Sequence, residues 1–209
     1  DMAPFWDKVL AVQPWLQPEG PEPEREYLAS NEAMQHLSGV MNCIMCAACV
    51  SDCTVFQVDK NFLGPAALAK AYRFAADPRD GKSKERLQRL VQYGGVWDCT
   101  RCLECVQVCP KGVAPMDRIM ALRDQAVAAG HTNSNGARHT IAFEELVHHG
   151  GQLDELRLPI KTLGITNVPA MLGLLPVGLR ALVRGKMPPI FHKPIPYADK
   201  VRRLMDRVD

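Results

Sequence analysis

The sequence predicts an all-α protein, and three observations carry that expectation. No stretch alternates apolar and polar residues with the period of two that a half-buried strand needs. Apolar residues recur at helical spacing between glycine and proline stops. All eight cysteines fall in two short runs of one form, and none is left over for a separate disulfide framework. Charge is nearly balanced, with 25 Lys and Arg against 23 Asp and Glu, which argues against nucleic acid or any other strong polyanion as a partner.

The first run is Cys43, Cys46, Cys49 and Cys53, and the second is Cys99, Cys102, Cys105 and Cys109, followed by Pro110. Each reads C-x2-C-x2-C-x3-C, the spacing of bacterial ferredoxins that bind cubane iron–sulfur clusters. Cysteines three apart on a tight loop reach three irons of one cube, and the fourth, a helical turn on, points away. In two-cluster ferredoxins that fourth cysteine ligates the other cluster. The expected sets are therefore Cys43, Cys46, Cys49 and Cys109 for one 4Fe–4S cluster, and Cys99, Cys102, Cys105 and Cys53 for the second. Such a crossover pins the runs side by side and makes the clusters part of the folding energy. Structural zinc uses two separated ligand pairs rather than three cysteines in seven residues, and packed triplets are a poor disulfide framework. Clusters and free thiolates call for a reducing compartment, the cytoplasm or a membrane face that looks into it.

Taken in order, residues 1–16 have a helical pattern on Phe5, Val9 and Leu10, with Asp1 as a cap. Trp6 and Trp15 read as hydrophobic docking residues. The Pro- and Glu-rich stretch 17–26 reads as an exposed linker, and 27–40 as a short helix leading to the first run. The Asp1-Met2 opening reads as a processed or non-native start, and no signal peptide is expected. Between the runs, Gly64-Pro65 opens a helix, proline being favourable at the first helical position, and Pro78 stops it. Lys82 to Tyr93 is a second helix, with Leu87, Leu90 and Val91 on one face and Gly94-Gly95 at its end. Pro110 ends a short helix carrying Cys109. Met116 to Ala129 is a further helix, closed by Gly130. The expected organisation is 1–40 as linker and lead-in helices, 41–130 as a helical ferredoxin-like domain with two cubane clusters, and 131–209 as a helical and irregular C-terminal docking extension.

Within that extension, Ala137 to His149 is helical. Residues 164–193 are apolar but broken by Pro169, Pro176, Pro188 and Pro189 and carry Arg180 and Arg184; they are too broken to span a bilayer. A basic apolar helix of this kind lies on a membrane surface or in a partner's groove, or else is a core helix with an extended tail. Residues 196–208 read as an amphipathic basic helix. Acidic residues gather in 1–40 (Glu19, Glu22, Glu24, Glu26, Glu32) and basic ones in 180–209 (Arg180, Arg184, Lys186, Arg202, Arg203), so the two ends either suit different surfaces or are two ordinary solvated faces. His148-His149 is the only histidine pair, and neighbours on a helix point apart, so the pair does not read as a two-histidine metal site. No Ser/His/Asp set, glycine-rich phosphate loop or paired carboxylates stand out, so no catalytic residue is expected in this chain.

The stretch from Cys43 to about Ala129 resembles the C-terminal domain of the iron–sulfur subunit of succinate dehydrogenases and fumarate reductases. CIMCAAC-x3-C, DKNFLGPAALAKAYRFAADPRD and CVQVCPKG carry the resemblance. Asp1-Met2-x2-Phe5-Trp6 and PWLQP resemble that family's linker after its N-terminal domain. The resemblance implies an upstream domain with a 2Fe–2S cluster, a flavoprotein (FAD) subunit as partner, and a membrane anchor or cysteine-rich subunit on the other side, with a quinone at the subunit boundary. It implies an electron-relay subunit of an oxidoreductase complex, cytoplasmic and peripheral on the inner face of the membrane through its partners. The Cys43 set would be upstream and the Cys99 set would face the membrane side. Three departures stand out. Cys102 fills a place that well-known members leave without a cysteine, so a 4Fe–4S cluster is expected where they hold 3Fe–4S. Thr54, Gln57-Val58 and Thr100 stand where quinone-reducing members have proline, tryptophan and histidine. Residues 131–209 exceed those members' tail and resemble heterodisulfide-reductase C-like subunits. That family, and a free two-cluster ferredoxin carrier, are the alternatives.

Overall fold

In a computed structural model, residues 1–164, 166–189 and 192–207 are described, and all regular structure among them is helical. The chain divides into two compact units, Asp1–His131 and Thr132–Asp209.

The first unit begins with α1, Ala3–Ala11. Its buried face is Phe5, Val9 and, just past the end, Val12, the i, i+4, i+7 stripe of an amphipathic helix. Leu10 falls off that stripe and is 57% exposed, contrary to the expected face. The N-cap position is Met2, which makes no side-chain cap bond; the Asp1 carboxylate, one residue earlier, accepts the Ala3 N–H at 2.9 Å. Trp6 meets Phe5 edge-on at 5.1 Å, yet Trp6 and Trp15 both stay about half exposed rather than docked. Helix α2, Asn31–His36, is capped by Ser30, whose hydroxyl accepts the Ala33 N–H. A 3-10 turn at Val40–Asn42 then delivers Cys43. Two short helices follow, α3 at Ala48–Ser51 and α4 at Thr54–Val58.

Helix α5, Pro65–Ala75, is the centre of this unit, with Ala66, Ala67, Leu68, Ala69 and Ala71 all buried. Its alanines let neighbouring elements approach closely, and α1 and α8 both pack on it. Helix α6, Ser83–Leu90, buries Leu87 and Leu90 and stops short of Tyr93. The reason is the Gly94-Gly95 turn. Gly94 has φ +82°, and a Cβ there would stand 2.5 Å from the Asn61 carbonyl; one on Gly95 would stand 1.9 Å from the Leu90 carbonyl. Helix α7 covers Glu104–Gln107, so Cys109 lies beyond its end rather than within it. Helix α8, Pro115–Ala128, closes the unit and buries Ile119, Leu122 and Ala126.

Residues 1–40 share this core, since Phe5, Val9, Val12, Leu37 and Val40 belong to the same buried cluster as α5 and α8. Arg86 secures the join. Its side chain is nearly fully buried and donates to both Asp80 carboxylate oxygens at 2.9 and 3.0 Å. Its remaining donors reach the carbonyls of Val12, Gln13 and Trp15 at 3.0, 2.6 and 2.7 Å.

The second unit is built on α9, Asn135–Gly150, capped by the Ser134 hydroxyl. Helix α10, Arg157–Leu163, and α13, Ala198–Met205, pack against it. Between them lie α11, Val168–Gly173, and α12, Leu175–Val183. Gly151 ends α9 at φ +71°, where a Cβ would meet the Ile195 side chain at 2.7 Å. His148 Nε2 pairs with Asp206 at 2.7 Å, and the His149 carbonyl accepts from Arg202. No helix among the described residues is long and apolar enough to cross a membrane.

Candidate metal centres

The two cysteine runs adopt one backbone shape. In the first, Met45 and Ala47 have φ of 58° and 62°; in the second, Arg101 and Leu103, at the same places in the pattern, have φ of 58° and 68°. Left-handed backbone at four residues other than glycine costs about 1–3 kcal/mol each and persists where the surroundings over-determine it. Its effect is to curl each loop so that its first three thiols face one side. Ala47 and Leu103 then serve as the residues from which α3 and α7 start, and those helices carry the third cysteines, Cys49 and Cys105.

Each loop walls a hollow, and the fourth cysteine of the other run completes it. One hollow is lined by Cys43, Cys46, Cys49 and Cys109. The other is lined by Cys99, Cys102, Cys105 and Cys53. Each hollow thus has three thiols of one run and the fourth of the other. The remaining walls are largely apolar, with Ala66, Ala69 and Val113 around the first and Phe62, Met116 and Ile119 around the second.

Helices α5 and α8 stand between the hollows and belong to both. On α5, Pro65 lines the second while Ala66 and Ala69 line the first; on α8, Pro115 lines the first while Met116 and Ile119 line the second. Both helices therefore bring their N-terminal ends to the thiols, where the partial positive charge of the helix dipole favours the net negative charge of a thiolate-ligated centre.

Sulfur also receives donors. The Phe56 N–H points to Cys53 Sγ at 3.5 Å and the Val113 N–H to Cys109 Sγ at 3.4 Å. The Thr54 hydroxyl donates to Cys102 Sγ at 3.6 Å. This bond and one from the Glu104 N–H draw the Cys102 thiol below its ordinary value. Burial, with the neighbouring cysteines adding to it, pushes the Cys49 and Cys105 thiols up to about 12. The neighbours acting on Cys49 include Cys105 of the other hollow, a sign of how close the two sets lie. Thiols so buried and mutually repelling ionise together only around a compact positive core. Among the described residues, no three Cys, His, Asp or Glu side chains converge tightly enough for a single metal ion. The donor set, four thiols spread around each apolar hollow, fits a cubane cluster.

Two arginines of α8 hold the loops in place and were not foreseen. Arg123, buried, donates to the carbonyls of Val96, Trp97 and Cys99 at 2.8, 3.1 and 2.7 Å, fixing entry into the second run. Burial pulls its guanidinium down to about 10, which leaves it charged at neutral pH. Arg118 reaches the Val113 and Ser38 carbonyls, both at 3.2 Å. The sequence marks neither, since α8 also carries Asp117, Asp124 and Gln125.

Residues 39–113 match the family model described as a 4Fe-4S dicluster domain. The chain is 39% identical over 127 residues to the succinate dehydrogenase iron-sulfur subunit of Coxiella burnetii, covering 60% of this chain and 54% of that one. It is 37% identical over 133 residues to the fumarate reductase iron-sulfur subunit of Mycobacterium tuberculosis, covering 63% and 53%. It is 30% identical over 193 residues to the 8-methylmenaquinol:fumarate reductase iron-sulfur subunit of Wolinella succinogenes, covering 91% and 59%. The chain thus spans about half the length of the curated relatives it matches, and the last alignment reaches into the second unit. These names agree with the resemblance drawn from CIMCAAC-x3-C and CVQVCPKG, and they do not favour the heterodisulfide-reductase alternative.

Proposed function

We propose that this chain is the two-cluster part of the iron–sulfur subunit of a succinate dehydrogenase or fumarate reductase. It relays electrons between a flavoprotein subunit, by way of a 2Fe–2S domain, and a membrane anchor or cysteine-rich partner on the quinone side. Such a complex would hold the chain at the inner face of the membrane. Cys43, Cys46, Cys49 and Cys109 hold one 4Fe–4S cluster, and Cys99, Cys102, Cys105 and Cys53 the other. The observation that carries this reading is the three-plus-one lining of both hollows. Bound there, each cluster supplies one-electron redox chemistry at low reorganisation cost. The chain's own residues hold it: the left-handed loops aim the thiols, Arg123 and Arg118 fix the loop backbone, and the apolar walls shield the core side while Cys46 and Cys102 stay exposed. The shared walls of α5 and α8 keep the hop between clusters short, with Ala66 and Ala69 adding little bulk.

Electron paramagnetic resonance on the anaerobically purified complex, before and after succinate, tests the relay. Reduction of the clusters by succinate is the expected result. Clusters that dithionite reduces and succinate does not would reject the succinate-oxidising assignment. The ligand set has its own test. Cys102→Ser is expected to yield a 3Fe–4S-type signal in the oxidised state at the second site, with the first cluster unaltered. An unchanged oxidised spectrum with full iron would remove Cys102 from the ligand set.

A further inference from the structure

From Leu156 to Ala198 the sequence contains no aspartate or glutamate, while Arg157, Lys161, Arg180, Arg184, Lys186 and Lys193 lie within it. Helices α11 and α12 occupy the middle of this stretch, and neither has a buried residue. Val168, Leu172, Leu175, Leu179, Leu182 and Val183 are each more than half exposed. On α12, Leu175, Leu179 and Leu182 stand at i, i+4 and i+7 and share one face; Arg180 and Arg184, at i and i+4, share another. An aliphatic stripe thus runs beside a cationic one. Soluble monomers rarely leave a contiguous apolar surface of this kind uncovered.

We propose that α11 and α12 form an interfacial anchor that lies in the headgroup plane of an anionic lipid bilayer. Leu175, Leu179 and Leu182 enter the acyl boundary, and Arg180, Arg184 and Lys186 meet lipid phosphate. One feature selects lipid over a protein groove: from Leu156 to Ala198 no acidic residue interrupts the basic ones, which matches a continuous negative surface rather than a patterned one. Amphipathic helices that lie on membranes have this combination of an apolar face and a basic polar face. This inference stands apart from the cluster assignment and depends on none of the cysteines.

The test is flotation of the cluster-loaded 209-residue chain, kept anaerobic, with vesicles of phosphatidylcholine alone or mixed with phosphatidylglycerol. Binding is expected to the mixed vesicles only, and to be released by salt. Arg180→Gln with Arg184→Gln is expected to weaken binding roughly 30-fold, about fivefold per cation near an anionic surface. Leu179→Asp with Leu182→Asp is expected to abolish flotation with iron content and circular dichroism unchanged. Absence from both vesicle types would overturn the proposal, as would equal binding to neutral vesicles or survival of binding in the leucine variant. A chain that stays off vesicles but sediments as a dimer, and is made monomeric by the leucine changes, assigns the face to a second copy and equally overturns it.

Discussion

Thr54 sits directly after Cys53, yet its hydroxyl serves the other run, donating to Cys102 Sγ at 3.6 Å. Hydrogen bonds to cluster sulfur stabilise the more negative, reduced state and so raise the potential. Removing this donor is expected to make the second cluster harder to reduce. Because the bond lies at the surface, water replaces part of it, so the change in the reduction equilibrium should stay within about tenfold, roughly 59 mV for one electron. Redox titration followed by paramagnetic resonance would compare Thr54→Val with Thr54→Ser. The valine variant should shift the second cluster downward and leave the first where it was, and serine should restore the value. A shift of both clusters, or no recovery with serine, would mean that the threonine acts through packing instead.

At the scale of elements, the join between residues 12–17 and α6 centres on the Arg86–Asp80 pair, with a backbone bond from the Gly81 N–H to the Gln17 carbonyl beside it. Arg86 uses its Nε–H, Nη1 and Nη2 donors on Asp80 and on the carbonyls of Val12, Gln13 and Trp15. Asp80 returns the favour to the backbone, accepting the Gln17 N–H at 2.9 Å and the Lys82 N–H at 3.2 Å. Methionine at position 86 would fill similar space but leave a buried carboxylate and three carbonyls without their donor. Loss of one partner from a buried ion pair costs about 3–5 kcal/mol, and Arg86→Met is expected to fall in that range by anaerobic urea unfolding. Arg86→Lys should recover little, since an ammonium cannot span the planar fork these acceptors define. If the methionine variant lost less than about 1 kcal/mol, well below the usual cost of an unpaired buried charge, residues 12–17 would owe their place to α1 and the Gly81 bond instead.

The whole molecule was legible from its sequence where information is local. The two runs and the Gly64-Pro65 start of α5 act within a few residues, so spacing alone reveals them; the Ser30 and Ser134 caps are equally local and went unread. Arg86 and Arg123 were not legible, because their acceptors are carbonyls distant in sequence, and a carbonyl carries no residue identity. Nor was the exposure of α12, since a leucine-rich helix reads the same whether it is buried or bare. Leu10 is the converse case, an apolar residue that falls one position off its stripe. The division into units carries a last expectation. Four left-handed residues, Met45, Ala47, Arg101 and Leu103, strain the loops by about 1–3 kcal/mol each. Without iron, only single weak donors such as the Phe56 and Val113 N–H groups hold thiols in each hollow. The core of the first unit backs directly onto both hollows through Ala66, Phe62 and Ile119, so losing the clusters removes one side of that core. Residues 132–209 contain no cysteine and have their own buried face, Ala137, Ala142 and Leu146. Chelation under anaerobic conditions is therefore expected to raise amide hydrogen exchange sharply across 39–113 while α9 and α10 keep most of their protection. Equal loss in both units would mean that they fold as one cooperative body, and unchanged exchange in 39–113 would mean that the loops hold their strained form without metal.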